Sequence, residues 1–178
     1  LAYPMSRPGA STLLVIDQLI VGPVKIEAER LLMPYTVVQD GKQSVNELIY
    51  KYEETVFDPN DPSSQNLASM IGAQVALNYG LFCKQITFDG LFDQTDKRFL
   101  INMMENTSRE ILVNKIYAPN LFLKEEIKNL PVKKQKRYTL AVVEFINSQY
   151  SKTSLKWTYW ATSRHKHCVL SSGGKDSL

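Results

Sequence analysis

The sequence predicts an α+β fold: a mixed N-terminal domain with an antiparallel, hairpin-rich sheet and packed helices. Apolar runs rich in β-branched residues fill much of the first third of the chain. Between two of these runs stands Asp40-Gly41, a dipeptide typical of a two-residue hairpin turn. A polar, proline-bearing loop at 58–65 then gives way to apolar residues at helical spacing.

The strand predictions begin with the apolar run TLLVID at 12–17. The next run is interrupted by Gly22-Pro23, which marks a turn. Pro34 has no amide hydrogen, so we expect its strand at a sheet edge or beside a bulge. The run at 83–88 predicts another short strand.

Two helices are predicted, one before and one after the strand at 83–88. The first covers 66–79, with Ser63 or Ser64 as its N-cap and Gly80 where it ends. The second and longer helix begins after Asp93 or Thr95 and ends before a proline. Its apolar stripe comprises Leu100, Met103, Met104, Thr107, Ile111 and Asn114.

Three further predictions concern the charged side chains of the long helix, the connector after it, and the segment at 138–150. The charged side chains of the long helix, Arg98, Glu105, Arg109 and Glu110, are expected to be solvated surface charges. One helical turn is expected in the charged connector that follows. At 138–150, β-branched residues favour a strand and the apolar spacing fits a helix, and we predict a helix.

Composition limits the class of protein. The chain has 178 residues, 44% of them hydrophobic, which is enough to bury a core. No apolar run approaches the length of a membrane span. No basic n-region followed by an apolar h-region opens the sequence, so we expect no secretion. The two cysteines make no disulfide framework. We therefore expect a cytoplasmic location without membrane association.

The net charge of +3 is unevenly distributed. Two basic clusters stand out, and each is either a solvated face or a surface that attracts a polyanion such as a nucleotide or a nucleic acid. No zinc-finger, helix-turn-helix or RNP-type pattern supports sequence-specific nucleic-acid recognition. The clusters comprise Lys133, Lys134, Lys136 and Arg137, and Lys156, Arg164, His165 and Lys166.

The last segment, HCVLSSGGKDSL, has the features of a phosphate-binding loop. A short apolar run, expected to be a buried parallel strand, leads into Gly173 and Gly174. Without a Cβ, these glycines allow backbone N–H groups to approach an anion closely. The spacing is not that of a Walker loop, because only these two glycines precede Lys175.

The polar residues around the glycines have complementary properties. The hydroxyls of Ser172 and Ser177 can donate to phosphate oxygens, and Lys175 brings a positive charge. Asp176 repels phosphate directly and is better suited to a helix N-terminus or to bound Mg²⁺. A helix starting at about this position would add its positive N-terminal end.

The segment SGGKDS resembles the S-G-G-x-D-S motif of the PP-loop family, the N-type ATP pyrophosphatases. The resemblance covers about the last dozen residues. It implies an enzyme that splits ATP between the α- and β-phosphates, places AMP on a substrate oxygen and uses Mg²⁺. The implied ATP- and pyrophosphate-binding residues are Ser172, Gly173, Gly174, Lys175, Asp176 and Ser177.

Upstream, the stretch from FDGLFDQTDKRFL to SREILVNKIYAPNLFL is similar to one branch of that family. In this branch the PP-loop half is linked to epimerisation of the terminal glutamate of a muramoyl-peptide precursor. The implied partners are ATP and a small-molecule or peptide-precursor substrate. No catalytic residue or metal ligand follows from this similarity.

These predictions divide the chain into an N-terminal α+β domain at 1–160 and the start of an α/β PP-loop domain at 161–178. The first strand and loop of that second domain are present, and its remaining strands are expected beyond Leu178. The fragment alone is therefore expected to be inactive, with the N-terminal domain recognising substrate or forming a homodimer contact. The alternative is a non-catalytic interaction or scaffold domain in which Gly173-Gly174 is only a linker.

Overall fold

One mixed sheet organises the computed structural model, which describes residues 9–148 and 163–167. The described residues form an α+β fold of six strands and three α-helices. The strands are β1 Ile16–Val21, β2 Lys25–Glu27, β3 Arg30–Gln39, β4 Lys42–Lys51, β5 Cys83–Asp89 and β6 Val142–Ile146. The helices are α1 Pro62–Ala73, α2 Gln94–Ile111 and α3 Glu125–Lys128. Shorter helical segments cover Ala10–Leu13, Gln74–Tyr79 and Leu112–Tyr117.

The sheet has an antiparallel half and a parallel half that meet at β1. On one side, β1 and β2 both pair antiparallel with β3, and β4 pairs with the other edge of β3. On the other side, β1, β5 and β6 are parallel neighbours. Long crossover connections join these parallel strands: β2, β3, β4 and α1 lie between β1 and β5, and α2 and α3 lie between β5 and β6.

The predicted hairpin is confirmed. Asp40 and Gly41 have φ values of 51° and 71°, and they join β3 to β4 in an unbroken register from Gln39↔Lys42 to Arg30↔Lys51. Positive φ at both central residues gives the turn a twist that matches the flanking strands. The hairpin therefore follows from its two turn residues.

The core lies between one face of the sheet and the helices. Leu19, Ile86 and Phe88 on the strands belong to the same buried cluster as Leu100 and Met104 of α2. Alternation along each strand directs these residues to one face. The opposite face carries exposed apolar residues, which include Val45, Ile49, Val142 and Ile146.

The predicted helix at 138–150 is wrong, since Val142–Ile146 is strand β6. It pairs parallel with β5, where Val143 lies opposite Ile86 and Phe145 opposite Phe88. Phe145 stacks on Phe88 at a centroid distance of 5.1 Å. The edge of β5 that does not pair with β1, together with the apolar face of the sheet, therefore favours a strand over a helix at 142–146.

Two strand predictions also need correction. The run at 12–17 is mostly not a strand, because a 3₁₀ turn covers Ala10–Leu13 and β1 begins at Ile16. Pro34 lies inside β3, which has neighbours on both sides. The missing amide hydrogen is tolerated because Pro34 lies between the residues that pair with β2 and those that pair with β1.

The helix starts differ in part from the predictions. Asp61, and not Ser63 or Ser64, caps α1 by accepting from the backbone N–H groups of both serines. Asp93 caps α2 as one of the two predicted candidates. The long helix reaches Tyr117 through a final π-helical segment and ends before Pro119. The predicted helical turn in the connector is α3.

Candidate functional site

The predicted phosphate-binding residues lie outside the residues that the structure describes. They are Ser172, Gly173, Gly174, Lys175, Asp176 and Ser177. The assignment of this loop to ATP and pyrophosphate therefore remains a prediction from the sequence. The described residues instead include two other candidate regions, the carboxyl edge of the parallel strands and a basic cavity.

The carboxyl ends of β1, β5 and β6 meet at one edge of the sheet, the usual location of ligands in open α/β sheets. Gly22 follows β1 with φ 96°, and a Cβ there would clash with the carbonyl oxygen of Asp89. Gly90 follows β5 with φ 156°, and its Cβ would lie 2.8 Å from Ser69 Oγ. These glycines let the connecting loops pack against one another at this edge.

Asn147 completes this edge after β6. Its Nδ2 donates to Asp89 Oδ1 at 2.7 Å, which links the ends of the two neighbouring strands. Asn147 has φ 56°, a left-handed conformation that asparagine adopts more readily than most residues. The edge is therefore polar, and the Asp89 carboxylate has a partner from within the fold.

A buried polar network fixes the start of α2 beside the same edge. Asn66 Nδ2 donates to Asp96 Oδ2 at 2.6 Å and to the carbonyl of Leu91 at 2.9 Å. Asp96 Oδ2 also accepts from the backbone N–H of Asp93 at 2.9 Å, which completes a capping box. Burial raises the pKa of Asp96, while these hydrogen bonds oppose that shift. The arrangement stabilises the start of α2, and the hydrogen bonds from Asn66 and Asp93 are both accepted by the same Asp96 oxygen, Oδ2.

The basic cluster predicted at 133–137 surrounds part of a surface cavity of about 390 Å³. Three of its lysines line the cavity, and Arg137 does not. The remaining wall combines apolar side chains with Tyr117 and Gln135. A cavity lined by both apolar side chains and lysines suits an anion that carries an apolar or planar group. The lining comprises Ala10, Leu112, Tyr117, Leu130, Pro131, Lys133, Lys134, Gln135 and Lys136.

Glu105 anchors the chain just after this basic segment. Its two carboxylate oxygens accept from the backbone N–H groups of Tyr138 at 2.6 Å and Thr139 at 2.8 Å. Burial raises the pKa of Glu105, but the hydrogen bonds from Thr139 and Tyr138 outweigh it, so that the pKa is lowered. The prediction that Glu105 is a solvated surface charge is therefore wrong. In the sequence, the only indication of partial burial at Glu105 was that it directly follows Met104, a residue of the apolar stripe.

The second basic cluster lies partly in the described segment 163–167. Arg164, His165 and Lys166 of this cluster are exposed there, as is the neighbouring His167, whereas Lys156 lies outside the described ranges. Within those ranges, no three His, Cys, Asp or Glu side chains are grouped as metal ligands. No described contact connects this cluster to the cavity.

None of the helices within the described ranges combines the length and apolar character needed to cross a membrane. Comparisons with protein-family models, curated proteins and solved structures find no match to this chain.

Proposed function

We propose that this chain is the N-terminal part of an ATP-dependent PP-loop enzyme that adenylates a substrate oxygen and releases pyrophosphate. The observation that supports the proposal is the segment SGGKDS, directly preceded by a short apolar run. In this reading, Gly173 and Gly174 present backbone N–H groups to the phosphates, and Lys175 neutralises their charge. Asp176 acts with bound Mg²⁺.

The described domain is proposed to recognise the substrate. The cavity lined by Lys133, Lys134 and Lys136 would hold an anionic part of it, with Tyr117 and Leu130 contacting an apolar part. Glu105 supports this role because it ties the chain beyond the lysines to α2 through two charge-assisted hydrogen bonds. Epimerisation of a peptide-precursor substrate after adenylation belongs to this proposal, on the basis of the upstream similarity.

Pyrophosphate release tests the catalytic part of the proposal. The protein with its natural sequence continuing after Leu178 should release pyrophosphate from ATP in the presence of substrate and Mg²⁺. Asp176→Ala should reduce this rate at least about a hundredfold if its carboxylate acts through the metal. Glu126→Ala, which changes an exposed carboxylate of α3, is the matched control and should retain the rate. An unchanged rate in Asp176→Ala would exclude the loop from the mechanism.

The fragment itself provides a second test. Titration of residues 1–178 with ATP in a calorimeter should show no tight binding, because one strand and one loop supply only part of a nucleotide pocket. Micromolar affinity would contradict this expectation. A natural protein that ends near Leu178 would remove the enzyme proposal altogether.

The competing function is a non-catalytic interaction domain. The exposed edge strand β4 favours it, since ten consecutive residues are accessible there. This alternative predicts no pyrophosphate release from the natural full-length protein, whereas the enzyme proposal predicts release that depends on Asp176.

A further inference from the structure

Strand β4 is an edge of the sheet: among residues 9–148 and 163–167, β3 is the only strand that pairs with it. All ten of its residues, Lys42–Lys51, are exposed, and they pair with β3 in continuous register. Native edge strands are commonly short, bulged or interrupted by proline or inward charges. This strand is long and regular, and its exposed apolar residues are Val45, Leu48, Ile49 and Tyr50. Such an edge is suited to pairing with another strand.

The backbone geometry determines which residues can make that pairing. Glu29 and Tyr52 extend the β3–β4 register by one pair, and the C=O of Glu29 accepts from the N–H of Tyr52. Tyr52 therefore directs its backbone groups towards β3. Pro34, opposite Glu47, directs its carbonyl away from β4 to Gly22. Because antiparallel bonding alternates along a ladder, alternate residues of β4, including Glu47, Ile49 and Lys51, direct their N–H and C=O groups to the free edge.

A second copy of the same strand can pair with this edge only in a few registers. Both partners of a hydrogen-bonded pair must direct their backbone groups outwards, so outward-directed residues of one copy must lie opposite outward-directed residues of the other. The twofold axis therefore lies midway between a residue and its own copy, and each register is identified by that residue. An axis at Glu47 places two glutamates directly opposite each other, and an axis at Leu48 places Glu47 opposite Ile49. Like charges opposite one another destabilise a pair of strands.

Of the allowed registers, only the one with its axis at Ile49 places Glu47 opposite a lysine of β4. Ile49 then pairs with its own copy, and Glu47 lies opposite Lys51 on both sides of the axis. On the other face, Leu48 lies opposite Tyr50 twice. Opposite charges and apolar pairs both stabilise cross-strand contacts, so the sequence of this edge complements itself in this register.

We propose that β4 is a dimerisation edge at which a second copy of this chain adds its own β4 antiparallel, with the twofold axis at Ile49. The two sheets become one continuous sheet, and Glu47 of each copy forms an ion pair with Lys51 of the other. The paired stretch is short, so the dimer is weak and depends on protein concentration. The inference does not depend on the proposed ATP chemistry.

Charge reversal tests the register. Sedimentation equilibrium over about 10 µM to 1 mM should show a monomer–dimer equilibrium. Glu47→Lys places lysines opposite each other at two symmetric positions and should weaken dimerisation about tenfold or more. Adding Lys51→Glu to this variant should restore the wild-type dissociation constant to within about threefold. Gln43→Lys, outside the Glu47–Lys51 overlap, is the matched control and should leave it unchanged.

Cysteine crosslinking tests the axis independently of dimer strength. In a Cys168→Ser background, Ile49→Cys should form an intermolecular disulfide on oxidation, because opposed residues of a hydrogen-bonded pair have Cα atoms about 5.5 Å apart. Val45→Cys is more accessible than Ile49→Cys but lies far from its own copy, so it should not crosslink. Cys83 is buried and does not interfere.

Three results would overturn the inference: a monomer at every concentration, a dimer insensitive to Glu47→Lys, or crosslinking by Val45→Cys in preference to Ile49→Cys. Loss of pyrophosphate release would not affect it, and a dimer would not support the enzyme proposal.

Discussion

Glu105 should make a larger contribution to stability than its place on a charged helix suggests. Glu105→Gln keeps the shape of the side chain but replaces one acceptor oxygen with an NH₂ group. That NH₂ group would face the backbone N–H of Tyr138 or Thr139, which now donate to the carboxylate at 2.6 and 2.8 Å. A hydrogen bond to a charged group contributes about 1.5–3 kcal/mol, and one such bond is lost while the other becomes neutral. We expect a loss of about 2 kcal/mol in the free energy of unfolding at pH 7.

The effect should depend on pH in a defined direction. The pKa of Glu105 in the folded protein lies below its ordinary value of 4.5, so its stabilising contribution is present above that value. It is lost as the pH falls through the folded pKa, because the protonated carboxyl no longer accepts both bonds as a charged group. The difference between wild type and Glu105→Gln should therefore shrink at about pH 3.

Urea denaturation of both proteins at pH 7, 5 and 3 measures this difference. Glu110→Gln is the matched control, because Glu110 lies on the same helix, is exposed and accepts only a side-chain bond from Asn114 in the described structure. It should change stability by no more than about 0.5 kcal/mol. The reasoning is wrong if the two variants are equally stable at pH 7, or if the loss in Glu105→Gln is the same at pH 3.

Two other predictions concern the carboxyl edge and the buried thiol. Gly22→Ala should destabilise by more than about 3 kcal/mol, since its Cβ would clash with the Asp89 carbonyl. Gly41→Ala, whose Cβ has open space, should cost only about 1 kcal/mol for its positive φ, and equal losses in urea denaturation would contradict this argument. Burial raises the pKa of Cys83 to about 12, so it should resist alkylation at pH 8 until urea unfolds the protein. Peptide mapping that finds Cys83 labelled under native conditions would refute its burial.

Local signals in the sequence were sufficient for several elements. Asp40-Gly41 determines its hairpin because few residue pairs accept positive φ at both positions. Asp93 and the apolar stripe of α2 determine that helix, since capping and a periodic face act within a few turns. The basic cluster was also visible, although its assembly into a cavity with Tyr117 needs contacts between distant segments.

Other features could not be obtained from local signals. The segment at 142–146 fits both a strand and a helix, and the free edge of β5 decides between them. Glu105 gives no sign in the sequence that its partners are backbone groups more than thirty positions away.

By itself, the sequence determined the α+β class, the β3–β4 hairpin and the long helix, because each depends on interactions between near neighbours. It also supplied the phosphate-loop prediction, which rests on residues 172–177 alone. The tertiary structure decided the parallel pairing of β1, β5 and β6, the close approach of Gly22 to Asp89 and the exposure of β4. These features depend on which strand lies beside which, and long-range packing sets that order.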